Sequence, residues 1–192
     1  MAALPSRPVH PALVRWHNDH LHFLAMLQGL ERHATAMAAG DTPDYSIMVD
    51  ILTYLTHYPD RSHHPREDET FARLRAREPV AATEADSLAS EHRDIARSGQ
   101  LLLDQLQDLL GDAVLSRAAL TEALITYIRT YRDHIAAEEA VILPQAAALL
   151  TAADWSAVES ATSTDTDPLF GDSFEARYGE LRRSIASDGG PH

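Results

Sequence analysis

The chain contains no cysteine. That absence removes disulfides, thiolate zinc sites, iron–sulfur clusters and thiol catalysis together. No stretch approaches the roughly 18 consecutive apolar residues a membrane span needs, and the opening MAALPSRPV has no apolar signal-peptide core. Basic residues are outnumbered: 16 Lys and Arg stand against 29 Asp and Glu, a formal net charge of −13. Such a surface repels phosphate backbones and anionic lipid, so neither nucleic acid nor membrane is expected as a partner. A Gly-rich phosphate loop and strand-like alternation are missing too. The expectation is a soluble, cytoplasmic protein.

What is present is amphipathic helix and histidine. At 192 residues and 45% hydrophobic content the chain can bury the core of one domain. Residues 1–9 read as a loose arm. A helix is expected from Pro11 to about Ala39, with its apolar seam at Leu13, Trp16, His20, Phe23, Leu27, Leu30, Ala34 and Met37. Gly40 ends it and the next helix opens near Pro43. That second segment runs to about Arg77 and carries two faces: Ile47, Ile51, Leu55 and Tyr58, then His63, Glu67, Phe71 and Leu74. The five steps from Tyr58 to His63 advance roughly 500°, so the faces are out of phase by about 140°. Pro59 lies in this gap, and a break or bulge is expected between Tyr58 and Pro65.

A third helix, with Thr83 as its expected N-cap, carries Leu88, His92, Ile95, Gly99, Leu102, Leu106 and Leu109. A fourth carries Leu120, Leu124, Tyr127, Tyr131, His134, Glu138 and Val141, with Ile128, Ile135 and Ile142 beside them. Past Leu150, Thr151 caps a short helix, and Phe174 to Ile185 reads as another. The fold expected is all-α: an up-down-up-down antiparallel four-helix bundle over residues 10–150, with a short helical tail over 151–192 packing on it.

Eleven histidines are the compositional oddity. Six polar residues fall on the inward seams: His20, His63, Glu67, His92, His134 and Glu138. His63 and Glu67, and again His134 and Glu138, are four residues apart, which stacks an imidazole and a carboxylate on one helix face. One HxxxE arises by chance on many surface helices; two, each running into apolar residues, point to a shared purpose. Buried polar groups are costly unless partnered, and a metal partners all six at once. The set is too large for one four-coordinate zinc. It suits two ions, each with two histidines, sharing two bridging glutamates. Iron, manganese, zinc and cobalt all accept such donors. Open positions would take water, an oxo or hydroxo bridge, dioxygen, nitric oxide or peroxide.

Several neighbours are read more plainly. His64 is placed on the solvent side of His63 or behind it, His57 at the surface near the kink, and Glu139 at the surface or behind the ligands. Tyr127 and Tyr131 read as core packing, with Tyr131 alternatively donating to a bridging oxygen or bound ligand.

PDRSHHPREDETF, EHRDI and YRDHIAAEEAVILP resemble the segments of hemerythrin-like proteins, the HHE cation-binding domain family, across about residues 10–150. DPLFG at 167–171 resembles a tail segment of the same family. The resemblance implies a four-helix bundle around a non-haem di-iron centre held by the six residues above. Two departures stand out. Oxygen-carrying hemerythrins have HxxxH on the third helix, whereas Ala96 follows His92 at +4. They also place an aspartate five residues after the fourth-helix histidine, where this chain has Glu139, preceded by Glu138. The glutamate-richer pattern resembles members implicated in oxygen or nitric oxide binding and sensing. The alternative it implies is an enzyme or iron donor: peroxide or nitric oxide turnover, or iron–sulfur repair. A purely structural metal is a third possibility. No output module is recognisable, so a sensor would signal through a separate protein partner.

Overall fold

The computed structural model describes residues 9–77, 79–161 and 167–169, and also 178, 179, 181 and 183. Among them there is no strand, and no helix is long and apolar enough to cross a membrane. Helix α1 spans Pro11–Ala39, starting on a proline whose missing N–H costs nothing in a first turn. It ends at Gly40, whose φ of 93° is free of penalty only for glycine. Helix α2 (Tyr45–Tyr58) is capped by Asp44, which accepts from the Ser46 and Ile47 amides, so it opens slightly later than Pro43. A π-helical turn, Pro59–His63, joins it to α3 (His64–Arg77). Helix α4 (Pro79–Leu110) begins on its proline, well ahead of the expected cap at Thr83. Ser116 caps α5 (Arg117–Ala137), a second π-turn covers Glu138–Ile142, and α6 (Leu143–Leu149) continues the same rod. Thr151 and Asp154 form a reciprocal capping box for α7 (Ala152–Ser160). The expected tail helix over Phe174 to Ile185 lies largely outside the described residues.

The long helices pack as a helical bundle: α1 lies against α2 and α5, and α4 against α2, α3 and α5. Every expected seam residue of α1 is buried. The α2 face is different from the expected one. Ile47 and Tyr58 are only half-buried, and Met48 and Leu52 join Ile51 and Leu55 in the core. On the last helix Ile142, not Val141, is buried. From His134 the buried positions step by four (Glu138, Ile142, Ala146, Leu150), the drift an inserted residue produces.

The core falls into two apolar clusters. One includes Phe23, Leu27, Met48, Leu52, Ile95, Leu106, Leu124 and Tyr131, and takes in Leu169, Tyr178 and Leu181 from the tail. The other includes Leu13, Trp16, Phe71, Leu74, Leu88, Ile142, Ala146, Trp155 and Val158. On each long rod the seam passes from one cluster to the other through His20, His63 with Glu67, His92, or His134 with Glu138.

At Gly99 α4 packs closely against α2 and α5. A Cβ there would lie 2.8 Å from Thr56 Cγ2 and 3.1 Å from the Tyr127 hydroxyl. Gly99→Ala is expected to destabilise the fold by about 1–3 kcal/mol through overpacking. Denaturant unfolding at unchanged far-UV circular dichroism measures it; wild-type stability would contradict the close packing at this crossing.

Candidate metal centre

The six seam residues meet in one buried layer; His92 is the most exposed of them, at 6%. The two π-turns frame it. The first ends at His63 and supplies the bulge that the phase gap demanded, turning His63 and Glu67 inward. The second begins at Glu138, so the His134–Glu138 pair closes on a regular α-turn immediately before it. π-Turns of this kind are frequent at functional sites.

Each glutamate spans two pairs of histidines. Glu67 Oε1 lies 2.6 Å from His63 Nε2 and 3.5 Å from His20 Nε2, while its Oε2 lies 3.2 Å from His92 Nε2. Glu138 Oε2 lies 3.2 Å from His20 Nε2, while its Oε1 lies 3.3 Å from His134 Nε2 and 3.5 Å from His92 Nε2. One oxygen of each carboxylate therefore serves His20 or the His20–His63 pair, and the other serves His92 or the His92–His134 pair.

The outward ring nitrogens are held by acids. His20 Nδ1 meets Glu139 at 2.8 Å, His63 Nδ1 meets Asp19 at 2.9 Å and His134 Nδ1 meets Glu91 at 3.1 Å. His92 Nδ1 lies 3.5 Å from Asp68. An ionised carboxylate can only accept, so the bonded Nδ1 atoms carry the hydrogens. In the neutral ring Nε2 is then a bare lone pair. Lone pairs facing carboxylate oxygens at these distances repel unless a cation, proton or metal, lies between. Both oxygens of Glu67 and of Glu138, and Nε2 of His92 and His134, are buried without a hydrogen-bond partner among the described residues. Nitrogen and oxygen donors orphaned together around two buried anions fit a divalent transition metal.

Protons answer the same demand. His20 has its pKa raised to about 11: burial opposes this, and the facing carboxylates of Glu138, Glu139 and Glu67 outweigh it. His92 is raised to about 12, where burial is outweighed by Asp68, Glu138 and Glu67. Burial would push Glu67 up, but His63, His20 and His92 hold it well below the usual carboxylate range. Glu138 is lowered as well, burial and Glu67 being overcome by His134 and His20.

Some neighbours sit as expected and others do not. Glu139 stands behind His20, and also pairs with His17 at 3.0 Å. His57 is exposed and bonded to its own helix. His64 is not on the solvent side: it is buried, with a donor atom within 4.8 Å of donors on Glu67 and His92. The supporting acids Asp19, Glu91, Asp60 and Asp68 were not anticipated. For Asp19, Glu91 and Asp68 the one sequence signal is adjacency, since each neighbours a ligand candidate in the chain; Asp60 has no such signal. Arg66, also buried, clamps Asp19 at 3.3 Å.

The hemerythrin HHE cation binding domain, as a family model, matches residues 12–146. Comparison with curated proteins and with solved structures returns no match.

Two outcomes follow from this geometry. Trp16 Nε1 lies 3.1 Å from His20 Nε2, the nitrogen a metal would take. Adding a divalent metal should change Trp16 emission, and the change should persist in Trp155→Phe, which leaves Trp16 as the single tryptophan. An unaltered spectrum at saturating metal would rule His20 out as a ligand. Metal binding should also expel protons and tighten as pH rises from neutrality toward the raised values of His20 and His92. The metal-free protein should do the reverse. A raised pKa contributes stability that is complete below the unfolded value of about 6.5 and is lost as pH climbs through about 11 and 12. Chelator competition and thermal melts across pH 6–10 (an interval of about four units) measure both trends; affinity independent of pH would contradict the assignment.

Proposed function

The chain belongs to the hemerythrin HHE cation-binding domain family and is a metal-binding protein, and from that premise we propose that it holds two iron ions in a carboxylate-bridged centre that binds or senses dioxygen or nitric oxide. The observation that carries this reading is the division of labour within Glu67 and Glu138, each with one oxygen toward each side of the layer. His20 and His63 would hold one ion, His92 and His134 the other. The mixed nitrogen and oxygen donors suit iron, and zinc or manganese would also occupy them in an isolated sample. Such a centre supplies open coordination positions for a small ligand.

The rest is done by the chain itself. Asp19, Glu91 and Glu139 fix the ring orientation and the tautomer of three imidazoles. The apolar clusters close the layer above and below. Tyr131 is fully buried and its hydroxyl has no hydrogen-bond partner among the described residues. Burial, then Tyr127, Glu67 and Glu138, push its pKa up, so it stays protonated and can donate to a ligand bound beside those carboxylates.

The order in which the rods cross the two clusters alternates: α1 and α4 begin at the Trp16 cluster, whereas α2–α3 and α5–α6 end there. That supports the up-down-up-down reading of residues 10–150, with residues 151–192 as an added tail. A second reading, turnover of peroxide or nitric oxide or donation of iron for cluster repair, is favoured by one feature. A cleft of about 770 Å³ reaches His64 and His92 from outside, wider than a diatomic molecule requires.

Anaerobic loading with ferrous iron, followed by optical spectra on adding dioxygen, nitric oxide and peroxide, tests the choice. A reversible ligand spectrum without turnover supports binding; catalytic loss of peroxide or nitric oxide supports the enzyme. His63→Ala and His134→Ala should each lower metal content and melting temperature together, and stoichiometric metal in the double variant would end the proposal. Tyr131→Phe should keep full metal content while releasing the bound ligand faster.

A further inference from the structure

His64 differs from the other histidines outside the motif. It is 7% exposed, and its ring stacks on that of His92 with centroids 4.2 Å apart and planes 16° apart. Its Nδ1 donates to Asp60 Oδ1 at 2.8 Å, four residues earlier and across the first π-turn. The same outer arrangement is found at His20, His63 and His134, each with an acid on Nδ1, which leaves Nε2 as the ring's metal-facing atom. Imidazoles that bind metals are characteristically oriented this way. A donor of His64 groups with donors of Glu67 and His92, all within 4.8 Å of one another. Ala96, one turn beyond His92 on α4, lines the same cleft and offers no donor there.

We infer that His64 is a fifth imidazole of the centre, donated by α3 to the ion held by His92 and His134, so that the two ions are held unequally. This rests on the two-ion reading above. It places three imidazoles on the side of the layer that the cleft reaches and two on the side enclosed by Trp16 and Phe23. The ion facing the cleft would then be held by the larger number of nitrogen donors, which compensates for its access to solvent.

The test uses the full chain, stripped of metal and titrated with cobalt(II) alone in competition with a chelator, with X-ray absorption reporting imidazoles per metal. His64→Phe keeps a flat ring against His92 but offers no lone pair. It should weaken one of the two ions by at least the roughly 10–100-fold that loss of a supporting group costs, leave the other unchanged, and lower the imidazole count. Asp60→Asn, a partly exposed position, should weaken the same ion by a smaller factor, about 10-fold. Wild-type affinities and imidazole count in His64→Phe would overturn the inference while leaving the six-residue centre standing. If His64→Phe fails to fold, Asp60→Asn decides, and unchanged affinity there overturns it. If the wild-type chain takes up fewer than two ions, the two-ion reading falls and this inference falls with it.

Discussion

Two carboxylates in the middle of the bundle, Glu67 and Glu138, set the terms for everything around them. Each is about 1% exposed. An isolated buried carboxylate is so unfavourable that it would ordinarily take up a proton. Here both are held ionised, because imidazoles approach them from every long rod. Removing one glutamate would leave several histidines without a counter-charge, and removing the histidines would leave two anions in an apolar core. Neither half is stable alone, which is why the polar layer is a single unit.

The acids behind the imidazoles extend that unit into a closed ring. Asp19 follows Glu91 in no sequence pattern, yet each does the same thing: it sits next in the chain to one ligand candidate and braces a ligand on another helix. Asp19, beside His20, holds His63; Asp68, beside Glu67, faces His92; Glu91, beside His92, holds His134; Glu139, beside Glu138, holds His20. The chain of support passes from α1 to the first π-turn, from α3 to α4, from α4 to α5, and from the second π-turn back to α1. A residue one position from an inward side chain lies about 100° round the helix, directed at the adjoining rod. Orientation of each imidazole therefore depends on the packing of the next helix, and the centre reports on the assembly of the whole bundle.

This geometry explains what could and could not be read from the sequence. The seams of α1 and α4 and the six inward polar residues were legible because periodicity and charge contradict each other there: a His or Glu in an apolar stripe needs a reason. The first π-turn was legible because Tyr58 and His63 both had strong partners on their own faces, so the phase gap was visible. The second was not, because Val141 and Ile142 are both apolar and either one completes a plausible stripe. Only the buried steps of four from Glu138 to Leu150 separate them. The supporting acids were hidden for a different reason. Their partners lie on other helices, and i,i+4 logic sees only one helix at a time. The solvent-side alternative for His64 failed because a single-helix view sets it beside His63's face, whereas the unwound backbone and Asp60 draw it onto His92.

The two π-turns solve one packing problem. A layer of imidazoles and carboxylates separates two apolar clusters, and each rod must present its apolar side to both. A regular helix of fixed 3.6-residue period cannot aim both its apolar seam and an out-of-phase His–Glu pair at one axis. On α2–α3 the extra residue lies before the HxxxE pair, so the pair stays in phase with Phe71 and Leu74 and the correction falls on the α2 side. On α5–α6 it lies after the pair, so His134 and Glu138 stay in phase with Tyr127 and Tyr131 and the correction falls on Ile142 and Ala146. In both rods the His–Glu pair itself keeps a clean α-turn, which preserves its i,i+4 stacking. The irregularity is displaced by one turn, to a place where it costs only a shift in which apolar residue faces the core.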